Sequence, residues 1–235
     1  MRAPRRHSYV RGMTEIVNIG SSTTLEARPS SAAWLRIMAL VYDPFVWLGE
    51  MAGMRRRRST LVGGAYGRVV EIGAGTGLNV AHYPDDIAEL MLIEPEPGMR
   101  RRLAHCRERH GRVAHIIDAP AERLPLADAS VDTVVSTLVL CTVDDPESAL
   151  REIARVLRPD GQLLFIEHVR AGSQFLARCQ DKLLRPWRSF AGGCMCNRPT
   201  VELMRACGFT VAAQDAVWRG MPAIVHPLAV GRATL

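Results

Sequence analysis

From Gly67 to the C-terminus, strand-like and helix-like runs alternate, and that alternation leaves few architectures open. The apolar, β-branched runs "GRVVEIG", "ELMLIEP", "RVAHII", "VDTVVSTLV", "GQLLFIEHV" and "FTVAAQDAVW" read as strands. Between them "PGMRRRLAHCRERH", "PESALREIARVL", "SQFLARCQDKLLRPWRSF" and "RPTVELMRAC" carry the helical period. Strands that alternate with helices pack as a parallel sheet covered on both faces. "VLRPDGQ" reads as a helix stop and a turn before the fifth strand. "MPAIVHPLAVGRA" reads as a last strand, antiparallel because only a short link precedes it. The expectation is an α/β fold built on a seven-stranded, mostly parallel sheet.

The N-terminal quarter is different. Residues 1–30 are polar and rich in Arg, Ser and Thr, and read as a disordered basic tail. Met13, inside it, is a second candidate for the natural start. The stretch "AAWLRIMALVYDPFVWLGEM", Ala32 to Met51, is apolar but carries Arg36, Asp43, Pro44 and Glu50, so it is no membrane span. It reads as two short amphipathic helices broken at Asp43-Pro44, forming a lid over about 33–58 on a domain of 31–235. Such helices can lie on the domain's own core or make peripheral membrane contact.

The net charge of +6 is local: Arg2, Arg5, Arg6 and Arg11 lie in the tail, and Arg55 to Arg58 form a second block. That reads as a solvated tail and helix end, not a nucleic-acid groove. Lys182 is the only lysine among 30 basic residues, which reads as the codon bias of a GC-rich bacterium. Six cysteines occur without a secretory signal, and read as free thiols in a reducing cytoplasm. Cys194-Met-Cys196 lacks the two-residue spacer and the partner pair of a zinc site, so no metal is expected.

The first strand runs into "EIGAGTG". In such a sheet, ligands bind outside the carboxyl ends of the strands, where strand order reverses. Gly73, Gly75 and Gly77 let the backbone approach a ligand that a Cβ would hold off. Their spacing is G-x-G-x-G, not the G-x-G-x-x-G of a diphosphate cradle, which argues against a dehydrogenase. Glu71 adds a carboxylate that repels a pyrophosphate and suits a cationic amino-acid group. Glu94, 19 residues after Gly75, ends the second strand, where an acid accepts hydrogen bonds from ribose hydroxyls. The ligand these residues suit is adenosine-like.

"EIGAGTG", "LIEPEPGM", "LPLADASVDTVVSTLVL" and "ALREIARVLRPDGQLLFIEH" resemble the successive motifs of class I S-adenosylmethionine-dependent methyltransferases, over about residues 35–230. "STLVLCTVDDPESALREIARVLRPDGQLLFIEHV" and the later "W", "GC" and "R-P-T" are similar to the methyltransferase-like family acting on alkyl thiols, related to quinone and phospholipid methyltransferases. Animal members of that family carry a hydrophobic N-terminal anchor, where this sequence has its arginine-rich tail. The resemblance implies a Rossmann-like sheet with an N-terminal helical lid, S-adenosylmethionine as cofactor, and a small or lipophilic acceptor, a thiol before a quinone or phospholipid. It also implies that Gly73, Ala74, Gly75 and Gly77 surround the methionine part, that Glu94 and Pro95 hold the ribose, and that Met99 packs near the adenine. Ala121 and Glu122 would hold the adenine edge, and Thr137, Leu138 and Val139 would line the cofactor. Many relatives have G-D-A-E in the adenine loop; here Pro120 replaces the aspartate, leaving Asp118, Glu122 or a backbone carbonyl to accept from the adenine amino group.

Candidates for the acceptor end cluster after the fourth and fifth strands: Cys141, Glu167 and His168. His168 is the best general base by chemistry, against the plainer reading of a histidine bonded at a strand end. Glu167 and His168, adjacent on a strand, point to opposite faces. Tyr42 and Asp43 would close over the site from the lid, with Trp34, Trp47 and Trp187 as an apolar wall. No D/N-P-P-Y/F tetrapeptide follows the fourth strand, which argues against a nucleic-acid acceptor. A protein that binds the cofactor without transferring its methyl is the alternative from another class. Nothing in the sequence bears on oligomeric state.

Overall fold

The computed structural model describes residues 32–235; the tail expected over 1–30 and the side chain of Trp34 lie outside the described residues. The chain enters through helix α1 (Ala32–Gly49), a π-helical turn (Glu50–Met54) and α2 (Arg55–Val62). The alternating part follows as β1 (Arg68–Ile72), β2 (Glu89–Ile93), α3 (Pro97–Arg109), β3 (His115–Ile117), β4 (Val131–Thr137) and α4 (Pro146–Val156). It ends with β5 (Leu157–His168), α5 (Gln174–Phe190), α6 (Thr200–Ala206), β6 (Thr210–Val217) and β7 (Pro227–Thr234).

All seven strands join one sheet in the order β3-β2-β1-β4-β5-β7-β6, and β7 alone runs against its neighbours. Local chemistry fixes the helix starts. Glu96 caps α3 by accepting from Met99 N at 2.6 Å, and Asp145 caps α4 by accepting from Ser148 N at 3.0 Å. A proline follows each cap, where its missing N–H costs nothing. The core sits on the inner strands, with Val69, Val70, Ile72, Val134, Val135, Leu163, Phe165 and Ile166 fully buried. Strand order reverses between β1 and β4, so the loops after these two strands, with those after β2 and β5, surround one crevice.

Two local expectations need correction. Pairing jumps from Leu157 opposite Val131 to Gln162 opposite Thr133, so Arg158–Gly161 form a bulge within β5 where a turn was expected. The lid does not break at Asp43-Pro44: α1 runs through Pro44, and the chain bends at Gly53, whose φ is +123°. Proline removes one hydrogen bond from a helix, whereas a positive φ is a conformation that glycine alone adopts without strain. The bend seats Val46 and Met54 in one buried cluster with Cys141, Cys194, Trp218 and Met221. Among the described residues no helix is long and apolar enough to cross a membrane.

Candidate active site

The loop after β1 places Gly73 at φ +56° and Gly75 at φ +58°, both in the left-handed region. A Cβ on Gly73 would lie 2.6 Å from Val139, so the loop can approach the β4 turn only without one. A Cβ on Gly75 would meet nothing nearer than Gly73 O at 3.9 Å, which leaves an open cradle along the backbone. Gly77 serves packing instead: its Cβ would crowd Leu103 and Cys106 of α3 at 3.0 and 3.1 Å.

Glu94 locks this loop to β2. Its Oε2 accepts from Gly75 N and its Oε1 from Glu96 N, each at 2.8 Å. A carboxylate has about four acceptor sites, so each oxygen keeps one for a hydroxyl. Burial raises the Glu94 carboxyl above its ordinary value, opposed by these two N–H groups.

A cavity of about 490 Å³ opens beside the loop. Of the residues expected around the cofactor, Gly73, Gly75, Glu94, Pro95, Met99, Ala121, Glu122, Leu138 and Val139 line it. Glu71, Ala74, Gly77 and Thr137 do not. The open cradle at Gly75, the part-satisfied carboxylate and the apolar Met99 and Leu138 fit an adenosyl group with a short zwitterionic tail. In the adenine loop Asp118 is drawn away by an ion pair with Arg100 at 2.7 Å. Glu122 lines the cavity and is the side-chain acceptor left in place.

Glu71 lies behind the loop, not in front of it. It is 1% exposed and accepts from Asn79 Nδ2 at 2.8 Å and Tyr83 Oη at 2.7 Å. Arg58 completes this network, donating to Asn79 Oδ1 at 3.1 Å, Thr137 Oγ1 at 2.9 Å and Glu50 Oε1 at 3.0 Å. The sequence reading placed Arg58 on a solvated helix end; it is 3% exposed. Its spacing from buried Met54 and Val62, four residues on either side, is the helical stripe that would have revealed it.

Burial raises the Glu71 carboxyl from 4.5 to about 7. A folded value above the unfolded one means that folding favours the protonated acid. Stability is therefore full below about pH 4.5 and falls as pH rises through about 7, by roughly 3 kcal/mol at about 1.36 kcal/mol per unit. Urea unfolding of the wild type should show this loss between about pH 4.5 and about pH 7, and Glu71→Gln should flatten it. An equal slope in both proteins would assign the loss to other groups.

The far end of the cavity is lined by Phe45, Val46, Trp187, Trp218 and Met221. Phe45 packs edge-on to Phe190 with centroids 5.3 Å apart, and its ring lies 6.4 Å from Trp187. Trp47, expected in this wall, is 59% exposed and outside the lining. Tyr42 lines the cavity, and burial raises its hydroxyl to about 12, so at neutral pH it keeps its proton and can serve as a hydrogen-bond donor. Asp43 does not reach the cavity; it accepts from Thr76 Oγ1 at 2.6 Å and pairs with Arg102, which ties the lid to the glycine loop and α3.

Glu167 and His168 do part company. Glu167 is fully buried and accepts from Ser136 Oγ at 2.7 Å and from the N–H groups of Val139, Leu140 and Cys141 at 3.0, 3.1 and 3.2 Å. It folds the turn after β4. His168 lines the cavity with Cys141 and Cys194. Its Nδ1 lies 3.3 Å from Cys141 Sγ and 3.5 Å from Cys194 Sγ, while its Nε2 is buried without a partner among the described residues. Contact with Cys194 and burial push the Cys141 thiol well above its ordinary value.

Comparison with known proteins agrees with this geometry. A family model described as a methyltransferase domain matches residues 70–165. Mouse thiol S-methyltransferase TMT1B is 35% identical over 172 residues, covering 70% of this chain and 69% of the relative. The human TMT1B is 38% identical over 143 residues, and the match spans 58% of this chain and 58% of the relative's length. Among solved structures, an S-adenosylmethionine-dependent methyltransferase of Thermotoga maritima, described as a possible histamine N-methyltransferase, superposes with a TM-score of 0.65 at 25% identity, covering 86% of this chain and 98% of that one. With a cradle for the cofactor at the reversal of strand order and relatives of this kind, the chain belongs to the S-adenosylmethionine-dependent methyltransferase family.

Proposed function

We propose that this chain transfers a methyl group from S-adenosylmethionine to a small lipophilic acceptor, with an alkyl thiol as first choice. One observation carries the reading: a single cavity joins the Gly73–Gly75 cradle and Glu94 to a wall of Phe45, Trp187 and Trp218. Gly73, Gly75, Glu94, Pro95, Met99, Ala121, Glu122, Leu138 and Val139 hold the cofactor, which supplies a methyl already attached to a good leaving group. The protein's work is to hold the acceptor in line and keep water out. The aromatic wall excludes water, and a neutral Tyr42 hydroxyl donates to the cofactor's carboxylate. Asp43 acts by position, latching α1 onto Thr76. A thiol asks little more, since a few per cent is thiolate at neutral pH.

A quinone or lipid acceptor is the alternative, and the outer face of α1 favours it. Leu40, Trp47 and Leu48 are each more than half exposed there, as is Met51 on the π-helical turn that follows. Such a face, followed by Arg55 to Arg57, suits peripheral contact with an anionic membrane. Co-sedimentation with anionic but not neutral vesicles is the expected result.

S-adenosylhomocysteine should raise the melting temperature, and NAD should not, because only a ligand of the folded state stabilises it by mass action. A screen with labelled methyl over alkyl thiols, quinols, aminolipids and RNA then reads the acceptor. Transfer to RNA alone would overturn the small-molecule reading. Tight cofactor binding with no transfer to any acceptor would favour a non-catalytic binding protein.

A further inference from the structure

Cys141, His168 and Cys194 come from three separate segments: the turn after β4, the end of β5 and the loop after α5. Their ligand atoms nevertheless converge, all lying within 4.8 Å of one another in a buried cluster. The two sulfurs are 3.9 Å apart, and His168 Nδ1 stands 3.3 and 3.5 Å from them. A tetrahedral zinc ion with bonds of ~2.3 Å to sulfur and ~2.0 Å to nitrogen needs sulfurs roughly 3.8 Å apart, and nitrogen roughly 3.5 Å from each. The three atoms already stand within a few tenths of an ångström of those separations.

The cluster is also held from behind. Met195 N donates to Cys141 O at 2.7 Å, and Arg198 donates to Leu140 O and, at 2.9 Å, to Val143 O. These bonds pin the Cys194 loop to the Cys141 turn. Thr200 Oγ1 donates to His168 O at 2.9 Å, and Glu167 gathers the backbone N–H of Cys141. Ligand-bearing segments fixed in this way are what a metal site needs in order to exist before the ion arrives. Two thiolates neutralise a divalent ion, which removes the main cost of burying one.

We propose that Cys141, His168 and Cys194 form a three-ligand site for a thiophilic divalent ion such as zinc, with the fourth coordination position turned to the cavity, where an acceptor thiol binds as its thiolate. All three residues line that cavity, and three protein ligands with one open position is the pattern of a catalytic, not a structural, zinc. On coordination the acceptor's S–H bond breaks, its proton passes to solvent, and a metal–sulfur bond forms. The second half of this proposal rests on the thiol reading above. The expectation of no metal came from the spacing of Cys194 and Cys196. Cys196 takes no part in the cluster.

The test uses the full chain, purified under reducing conditions and loaded with zinc or cobalt(II). One ion per chain should survive gel filtration, and the cobalt form should show thiolate-to-cobalt charge transfer. Cys141→Ser/Cys194→Ser should lose both signals, Cys194→Ser alone should lose about half of the charge-transfer intensity, and Cys196→Ser should keep all of it. The S-adenosylhomocysteine melting shift reports whether each variant is folded. An added alkyl thiol should change the cobalt spectrum; an unchanged spectrum would remove the acceptor from the metal. Retention of no ion by the wild type, or equal retention by the double variant, would overturn the site. A Cys141–Cys194 disulfide formed on mild oxidation in place of metal retention would assign the pair to redox chemistry instead. Thiol methylation without retained metal sinks this proposal and spares the methyltransferase reading; retained metal without any methyl transfer does the reverse.

Discussion

Glu94→Ala should weaken S-adenosylhomocysteine binding by roughly 10²- to 10⁴-fold in titration calorimetry. The two charge-assisted hydrogen bonds proposed from Glu94 to the ribose, each worth ~1.5–3 kcal/mol, set that range. The structure pushes the expected result toward its upper end. The same carboxylate accepts from Gly75 N and Glu96 N, so its removal also frees the loop that cradles the ligand. Glu94→Gln separates the two contributions. It keeps the shape and one acceptor oxygen but lacks the charge, and should fall between the wild type and alanine. An undiminished affinity in Glu94→Ala would remove this residue from the site.

The second large effect concerns the lid. Deleting residues 1–30 should leave methyl transfer nearly intact, because that stretch offers no apolar periodicity to pack. Deleting 1–54 should reduce transfer by ~100-fold or more, the scale expected when reacting groups lose their alignment. The longer deletion removes Phe45 and Val46 from the cavity wall and Met54 from the cluster beneath it. It also removes the Asp43–Thr76 bond and leaves Arg58 without Glu50. The sheet and Glu94 remain, so S-adenosylhomocysteine should still bind, more weakly. Full turnover by the longer deletion would place the acceptor pocket in residues 170–221 alone.

What the sequence disclosed follows a physical boundary. The strands and the glycine loop were legible because their signals are local: apolar runs, turn residues, and an acid at a set distance along the chain. Contacts set by strand order were legible only in part. Cys141 and His168, 27 residues apart, were expected together at the ends of adjoining strands, but Cys194, 53 residues from Cys141, was not, because it arrives on a loop after α5 that no strand pattern places. The roles of Glu71 and Arg58 were misplaced for a related reason. A charge in a sequence looks solvated, and only the partners Asn79, Tyr83 and Thr137, brought in by the fold, make burial tolerable. The lid bend was a contest between two local rules, and Gly53 prevailed over Pro44.

Glu167 has a consequence for how such an enzyme can change its acceptor. By gathering Ser136 and three successive backbone N–H groups, it makes the turn from Leu138 to Cys141 a single stiff joint, with Leu138 held at φ +62°. One side of that joint meets the glycine loop, where Val139 lies against Gly73, and the other carries Cys141 at the proposed acceptor end. A substitution there cannot retune one end without disturbing the other, and effects at neighbouring positions will not add. Drift or laboratory selection for a new acceptor should therefore leave the joint alone and accumulate changes in α1 and in the segment from Trp187 to Met221, which touch the acceptor wall without sharing Glu167.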